Sequence, residues 1–450
     1  MSDDHPHGFG FRALRREPLA FLREAVARGD LARIGPAFSP AFLVNHPALI
    51  SRVLHENHTN YRKGPAAARV RPLFGDGLTT ADGEIWQEHR RLLQPLFQSE
   101  RVHALFGIVA EAACDVAGRW RDLAQAGRPV DIGAEMLALT RRVILRVLFG
   151  NIDAAQADRL GAAMNGALRE VNRRVWSAVP LPLWVPTLAN RRLRHALQTL
   201  HGFITARIAD VGPPRREPAR LLDALLDLPD ARSHPRWVLD ETMTLLFAGH
   251  TTVAAALAWT WLLLDAHPDV ERLLAAELRG LSDENPVSVS NLPKLPYARR
   301  LIDEVLRLYP PTWITGRVAV AEDHLGGHRI PAGALLLISP WAMHRHPLFW
   351  PDPERFDPQR FVPTERERRP AFTYLPFGGG PRLCIGQGFA IMEMLLVLAT
   401  LARRYRVRRI SPAPVLPEAA IVLRPPAGTL VRIEPQELEA LGRTAAARRE

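Results

Sequence analysis

From Thr242 to Leu264 the chain runs 23 residues without an Asp, Glu, Lys or Arg. Asp240, Glu241 and Asp265 bound this stretch. Its Leu and Ala content predicts a helix over Leu239–Ala266, about 40 Å long at 1.5 Å per residue. A helix this apolar either spans a bilayer or is buried on all sides. His250 and several Thr stand at its centre, and no second such stretch accompanies it. Those features favour a core helix without stable membrane insertion, around which the rest of the chain must pack.

The surrounding pattern is mostly helical. Apolar periodicity predicts helices from Glu84 to about Ala126, over Ile132–Phe149, Ala154–Trp176, Asn190–Val211, Asp269–Leu281, Tyr297–Tyr309 and Gly388–Tyr405. The first of these breaks near Gln98-Ser99-Glu100, where Ser99 reads as an N-cap. Residues 41–46 read as a strand ending before Pro47, and Ala48–Glu56 as a short helix. Short strands are expected over Val318–Leu337, and a hairpin over Ala420–Ile433 around Ala427-Gly428. Gly212 to Pro218 reads as a flexible connector. The length prior suggests about three domains. No linker separates independent units, so a single domain over residues 1–450 is expected, with a core at about 10–435 and loose tails. The fold class is mainly α with small β-sheets.

Composition narrows the function. Lys and Arg total 58 against 47 Asp and Glu, a net charge of +11. Only Lys63 and Lys294 are lysines. The Arg excess is spread along the chain without zinc-finger spacing or an aromatic RNA-binding run, so nucleic acid is not an expected partner. The N-terminus lacks a charged and apolar signal pattern, and a cytoplasmic protein is expected. Two cysteines, Cys114 and Cys384, exclude a disulfide scaffold and any cysteine-rich metal cluster.

Cys384 has a distinctive setting. The run Phe377-Gly-Gly-Gly-Pro-Arg-Leu-Cys-Ile-Gly386 builds a turn from residues with permissive or fixed dihedrals, just before an apolar helix. Unpaired backbone N–H groups and the helix N-terminus lower a thiol pKa there, so a thiolate is expected. A thiolate is a haem axial ligand suited to O–O cleavage. A buried free cysteine remains an alternative. A phosphate-binding loop does not, since no Gly-Lys-Ser/Thr follows. Cys114, in Glu111-Ala-Ala-Cys-Asp, reads as a small packed residue.

The loop resembles the haem-binding signature of the cytochrome P450 family. Four further segments resemble family motifs in the family's order: Trp86-Gln-Glu-His-Arg90, Ala248-Gly-His-Thr-Thr252, Glu304-Val-Leu-Arg307 and Pro353-Glu-Arg-Phe356. The resemblance covers roughly residues 10 to 435. It implies haem b (iron protoporphyrin IX) between the long helix and the cysteine loop with its following helix. It implies Cys384 as the iron ligand, with Phe377, Gly378 and Gly386 shaping the loop and Gly386 admitting the flat macrocycle. Trp86, Arg90, Arg317 and Arg382 would hold the haem carboxylates through forked hydrogen bonds. Glu304, Arg307 and Arg355 would form a buried structural network.

On the other haem face the resemblance places Ala248 and Gly249, whose small size would admit O2 and permit a local break in the helix ladder. Thr252 matches the family threonine that helps deliver protons. The preceding family residue is usually Asp or Glu, and here it is Thr251. His250 could replace that acid, or hydrogen-bond within the helix bundle, or leave the relay to water and Thr251. All three could instead bond back to helix carbonyls.

Expected pocket residues are Leu73, Phe74, Leu78, Leu183, Trp184, Phe247, Trp313, Ile314, Ala420 and Ile421, an apolar wall that suits a hydrophobic small molecule. The segments Phe42–Pro47 and Gly75–Gly83 are similar to bacterial members that oxidise terpenes or fatty acids. The implied activity is O2-dependent monooxygenation fed by a separate ferredoxin or flavodoxin and its reductase. A peroxide-driven peroxygenase and a non-catalytic haem-thiolate sensor are the competing readings.

Overall fold

The computed structural model describes residues 11–36, 38–177, 179–210, 220–281 and 287–436. The expected 212–218 connector and both expected tails lie outside these residues.

The long helix runs from Pro235 to Ala266. Proline at its first position has no N–H to lose there, and Pro268 opens the next helix two residues past its end. Its most apolar window is 78% buried inside the protein, so packing accounts for the missing charge. The helices Ile132–Phe149 and Leu188–Ala209 lie against it, and Ala154–Trp176 lies against Leu188–Ala209. Local signals set these boundaries. Asp131, Asp153 and Thr187 each accept a hydrogen bond from the first-turn amides of Ala134, Gln156 and Asn190. Two of the helices match the periodicity residue for residue, Ile132–Phe149 and Ala154–Trp176.

The helix Gln387–Ala402 closes the other side of the core. There Trp120 meets Trp261 edge-to-face at 5.3 Å. A five-stranded sheet flanks the helices, in the order Leu31–Arg33, Ala41–Val44, Leu335–Ile338, Thr315–Ala319, Tyr61–Lys63. Only the pairing of Ala41–Val44 with Leu335–Ile338 is parallel. At the sheet edge Lys63 stands directly opposite Arg317.

Four expectations need correction. Ser99 is the first residue of its helix, and Gln98 occupies the cap without a side-chain bond. The expected helix from Glu84 is four pieces, Gly83–Leu93, a 3₁₀ turn at Gln94–Phe97, Ser99–Ala104 and Phe106–Ala126. Pro95 removes a backbone donor at the first break. Tyr405 does not end the last helix but begins a strand, Tyr405–Arg409, which carries Arg406, Arg408 and Arg409. The expected hairpin over Ala420–Ile433 does not form. Leu430–Pro435 pairs with Tyr405–Arg409 and Val130–Asp131 instead, while Leu423–Arg424 pairs with Glu418–Ala419. Alternation marks a strand but not its partner.

Candidate active site

The cysteine loop is held by its own backbone. Cys384 N–H donates to Phe377 O at 3.0 Å. Gly378 and Gly380 have positive φ, 76° and 65°. At Gly380 a Cβ would stand 1.9 Å from Leu54 O, so only glycine fits. Around the place where a Gly386 Cβ would be, nothing lies within 4 Å. That open flank beside an accessible Cys384 suits the approach of a flat ring.

Cys384 corrects one expectation. Its side chain is open on one side, but the surrounding protein desolvates it and pushes the thiol up from its ordinary value. The Gly386 N–H and the Arg90 charge pull it back down, as the loop geometry predicts, without winning. Iron coordination removes the proton outright. Cys114 is half-buried on the helix Phe106–Ala126, away from this loop.

The carboxylate-binding residues converge from three parts of the chain. Trp86 is buried on the helix Gly83–Leu93, and the Arg382 guanidinium lies 4.3 Å above its ring. Arg90, one turn on, donates to Leu383 O at 2.8 Å, tying that helix to the cysteine loop. Arg317 reaches in from the sheet. Burial, and then Arg382, hold its pKa down to about 10.

Two participants escaped the sequence reading. Asp82 pairs with Arg382, accepts the Lys63 N–H at 2.7 Å and caps the helix at Gly83. An Asp before Gly-Glu-Ile-Trp is a legible cap signal. Lys63 itself is the second, and burial, Arg382 and Arg317 together hold its ammonium down to about 7. Among the described residues Asp82 is the one carboxylate ion-paired within this group of cations. A buried excess of cations is the electrostatic complement of a group bearing two carboxylates. The residues present therefore fit haem.

The long helix presents its polar centre differently from the expectation. His250 is fully buried, with Nδ1 2.8 Å from Leu246 O, and burial holds its pKa down to about 4. It is a neutral bundle residue facing Arg141 of the helix Ile132–Phe149, not a replacement acid. Thr251 and Thr252 donate to Phe247 O at 3.1 Å and Ala248 O at 3.0 Å. The helix is continuous here, so the expected break is absent. Ala248 is the exposed small residue. Gly249 is small for another reason. A Cβ there would stand 2.6 Å from Ile144 Cδ1, so its space belongs to helix packing rather than to O2.

The pocket wall is only partly as expected. Phe74 meets Phe247 edge-to-face at 6.0 Å. Phe74, Leu78, Leu183 and Ile421 are partly buried against the apolar cluster to which Phe247, itself 2% exposed, belongs as a core residue. Leu73 is 1% exposed and belongs to the core beneath. Trp313 is equally buried, donates to Ala420 O at 2.8 Å and stacks on Trp176. It is a pillar between elements, with Ile314 partly buried beside it. Trp184 is 77% exposed and walls no enclosed pocket. Arg69 holds the carbonyls of Val175 and Ser177, and Arg71 pairs with Asp76. His89 lies 2.8 Å from Glu241, a contact across 152 positions that no local pattern announces.

Behind the loop, Glu304 and Arg307 are both fully buried and joined by two bonds, 2.6 and 2.8 Å. Arg307 also donates to the carbonyls of His344, Pro353 and Arg355, and Asp357 N–H donates to Glu304. The membership of this network differs from the expected one. Arg355 supplies its carbonyl while its side chain is exposed, and Arg360 approaches Glu304 at 3.6 Å.

Comparison with known proteins agrees with this geometry. The cytochrome P450 family model matches residues 11–432. Cyclooctatin synthase of Streptomyces melanosporofaciens is 36% identical over 423 residues, spanning 91% of this chain and 90% of that protein. Pentalenene oxygenase of Streptomyces avermitilis is 32% identical, spanning 95% and 94%. The crystal structure of the cytochrome P450DA heme domain shares the fold with a TM-score of 0.85 at 23% identity, over 96% of each chain. The chain belongs to the cytochrome P450 family, a haem-binding oxidoreductase.

Proposed function

We propose that this monooxygenase oxidises a terpenoid, using electrons from a separate ferredoxin or flavodoxin. Two relatives support the substrate class by name. Pentalenene oxygenase is one. Cyclooctat-9-en-7-ol 5-monooxygenase of Streptomyces melanosporofaciens is the other, 36% identical over 88% of this chain. The observation that carries the reading is a set of partly buried hydrocarbon side chains, Phe74, Leu78 and Ile421, packed against the apolar cluster that includes Phe247, next in sequence to accessible Ala248. Such a surface orients a hydrocarbon by shape and offers few polar partners.

Bound haem supplies the activation of O2 that places one oxygen atom in a C–H or C=C bond. Cys384 Sγ would hold the iron, Arg90, Arg317 and Arg382 would hold the carboxylate edge, and Gly386 would leave room for the ring. On the long helix the Thr252 hydroxyl would position a proton. It must rotate away from Ala248 O to do so, which costs one hydrogen bond. Thr251 has no acidic proton to give at neutral pH, so protons reach Thr252 through water. A shallow groove between Leu292, Arg299, Gln387, Ile391 and Leu395 opens on the cysteine-helix side. With a net charge of +11, an acidic redox protein would be drawn to this chain at a salt-dependent rate.

Turnover of a terpene panel separates the readings. NADPH, ferredoxin and reductase should give hydroxylated product, and Thr252→Ala should lower product formed per NADPH on the order of tenfold or more. Turnover with peroxide alone would favour the peroxygenase reading, to which the non-acidic Thr251 lends itself. Turnover of fatty acids but no terpene would overturn the substrate class.

A further inference from the structure

Residues 75–82 form a run of turns between the helices Pro65–Phe74 and Gly83–Leu93. A connection of this kind is ordinarily mobile, with its backbone groups turned to water. Here side chains of other elements hold it. Asp76 N–H donates to Asp240 Oδ2 at 2.9 Å, and Leu78 N–H donates to Glu241 Oε2 at 3.0 Å. On the carbonyl side, the Lys63 ammonium donates to Leu78 O at 2.8 Å and Thr79 O at 2.6 Å. The Thr80 hydroxyl donates to Gly75 O at 2.7 Å.

Asp240 and Glu241 are consecutive on the long helix, and both are buried. Burying two adjacent carboxylates is costly unless each is well partnered. Arg236, one turn earlier, pairs with Asp240 at 3.0 Å, and His89 lies 2.8 Å from Glu241. Two glycines let the loop come this close. A Cβ on Gly75 would overlap the Asp240 carboxylate, and one on Gly77 would overlap Thr244 Oγ1. Thr242, Thr251, Thr252 and Thr260 of the same helix each bond back to the carbonyl four residues earlier. Thr244 does not, and packs its hydroxyl against Gly77 instead. The loop is thus fitted to one face of the helix, the face that reaches Ala248 seven residues and about 10 Å beyond Glu241.

We propose that Asp240 and Glu241 are positioning residues that set specificity: they tie the Asp76–Leu78 backbone to the long helix, so that Phe74 and Leu78 keep a fixed register with Ala248 and Thr252. Neither acid touches the substrate, and each acts through a loop amide. The inference deepens the terpenoid reading and rests on it for the substrate. A hydrocarbon offers few polar handles, so the position that is oxidised depends on how rigidly its surroundings are set. Side chains fixed in advance lose little freedom on binding and hold one carbon in place.

The test reaches one contact from both sides in the holoenzyme. Glu241→Ala removes the acceptor, and Gly77→Ala pushes the loop away without altering a charge. Each should speed amide hydrogen exchange in residues 75–80 by about tenfold, the loss of one charge-assisted hydrogen bond. Each should also lower the ratio of major to minor oxidation product by about tenfold. The double variant should resemble either single one, because both break the same contact. Glu241→Gln keeps an acceptor oxygen and should restore the wild-type ratio. If Glu241→Ala fails to load haem, Asp240→Ala carries the comparison through the Asp76 amide. Unchanged exchange overturns the tie, and faster exchange with an unchanged product ratio overturns its role in specificity. Oxidation of fatty acids but no terpene would overturn the substrate class alone, since exchange and product ratio can both be read on a fatty acid.

Discussion

Two buried groups of charges sit on either side of the cysteine loop, and they are built on opposite plans. Behind it, Arg307 spends its donors on Glu304 and three carbonyls, and Glu304 gains the Asp357 N–H as well. Arg307 and Glu304 complete each other there within the chain, with Arg360 as a second cation beside Glu304. In front of it, Lys63, Arg317 and Arg382 share one ion-paired carboxylate, Asp82. The first group is finished by folding, and the second is finished by a ligand. A buried ion pair with complete partners holds geometry, whereas an under-neutralised cluster reserves binding energy for what arrives.

The largest expected effect tests the finished group. Glu304→Ala leaves Arg307 charged and unpaired at zero exposure, and should cost about 3–5 kcal/mol of unfolding free energy together with haem loading. Urea unfolding and the haem-to-protein absorbance ratio check this. A variant that loads haem fully and unfolds like the wild type would break the contrast.

A second expectation follows from His344, which belongs to the same group. Leu375 N–H donates to its Nε2 at 2.9 Å, and its Nδ1 lies 3.0 Å from Arg307 O. Burial holds its pKa down to about 3, so the fold keeps it neutral. Above pH 6.5 neither folded nor unfolded chain protonates it, and its contribution is complete. Below that the unfolded chain takes up a proton the fold refuses, and stability falls until the pH nears 3. At pH 5 the loss should be about 2 kcal/mol from this group, checked against a His344→Gln variant whose profile lacks that component.

The smallest expected effect sharpens the other side. Arg317→Leu removes one cation from the unfinished cluster. It should speed haem loss by about tenfold yet leave the unfolding midpoint of the protein moiety within about 0.5 kcal/mol. An equal loss in both measurements would mean that Arg317 serves the fold, as Arg307 does.

Much of this was visible in the residues themselves. The glycine-rich loop around Cys384 and the apolar run from Thr242 to Leu264 each carry their structural meaning locally. The Asp131 and Asp153 caps are local as well, although the sequence reading did not name them. The i,i+3 spacing of Glu304 and Arg307 showed that they share a face, though not that carbonyls from residues 344, 353 and 355 would complete the shell. The cations at the sheet edge were half legible. Arg317 stood out through family resemblance, while Lys63 carried no motif, since its meaning comes from the strand laid beside it. Gly249 misled, because a missing side chain looks the same whether it makes room for a gas or for Ile144. Trp184 misled as well, because an aromatic in an apolar loop is equally compatible with a wall and with a surface.

The sequence by itself determined the family, the long helix and the glycine-rich cysteine loop, because these depend on residue type, spacing and local backbone preference. The tertiary structure alone decided the partners. It set Lys63 against Arg317, withdrew His250 from the haem face and gave Arg355 a carbonyl role. It also paired Leu430–Pro435 with strands far away in sequence. Charge compensation and packing act through space, and their balance is settled only when distant segments share one desolvated volume.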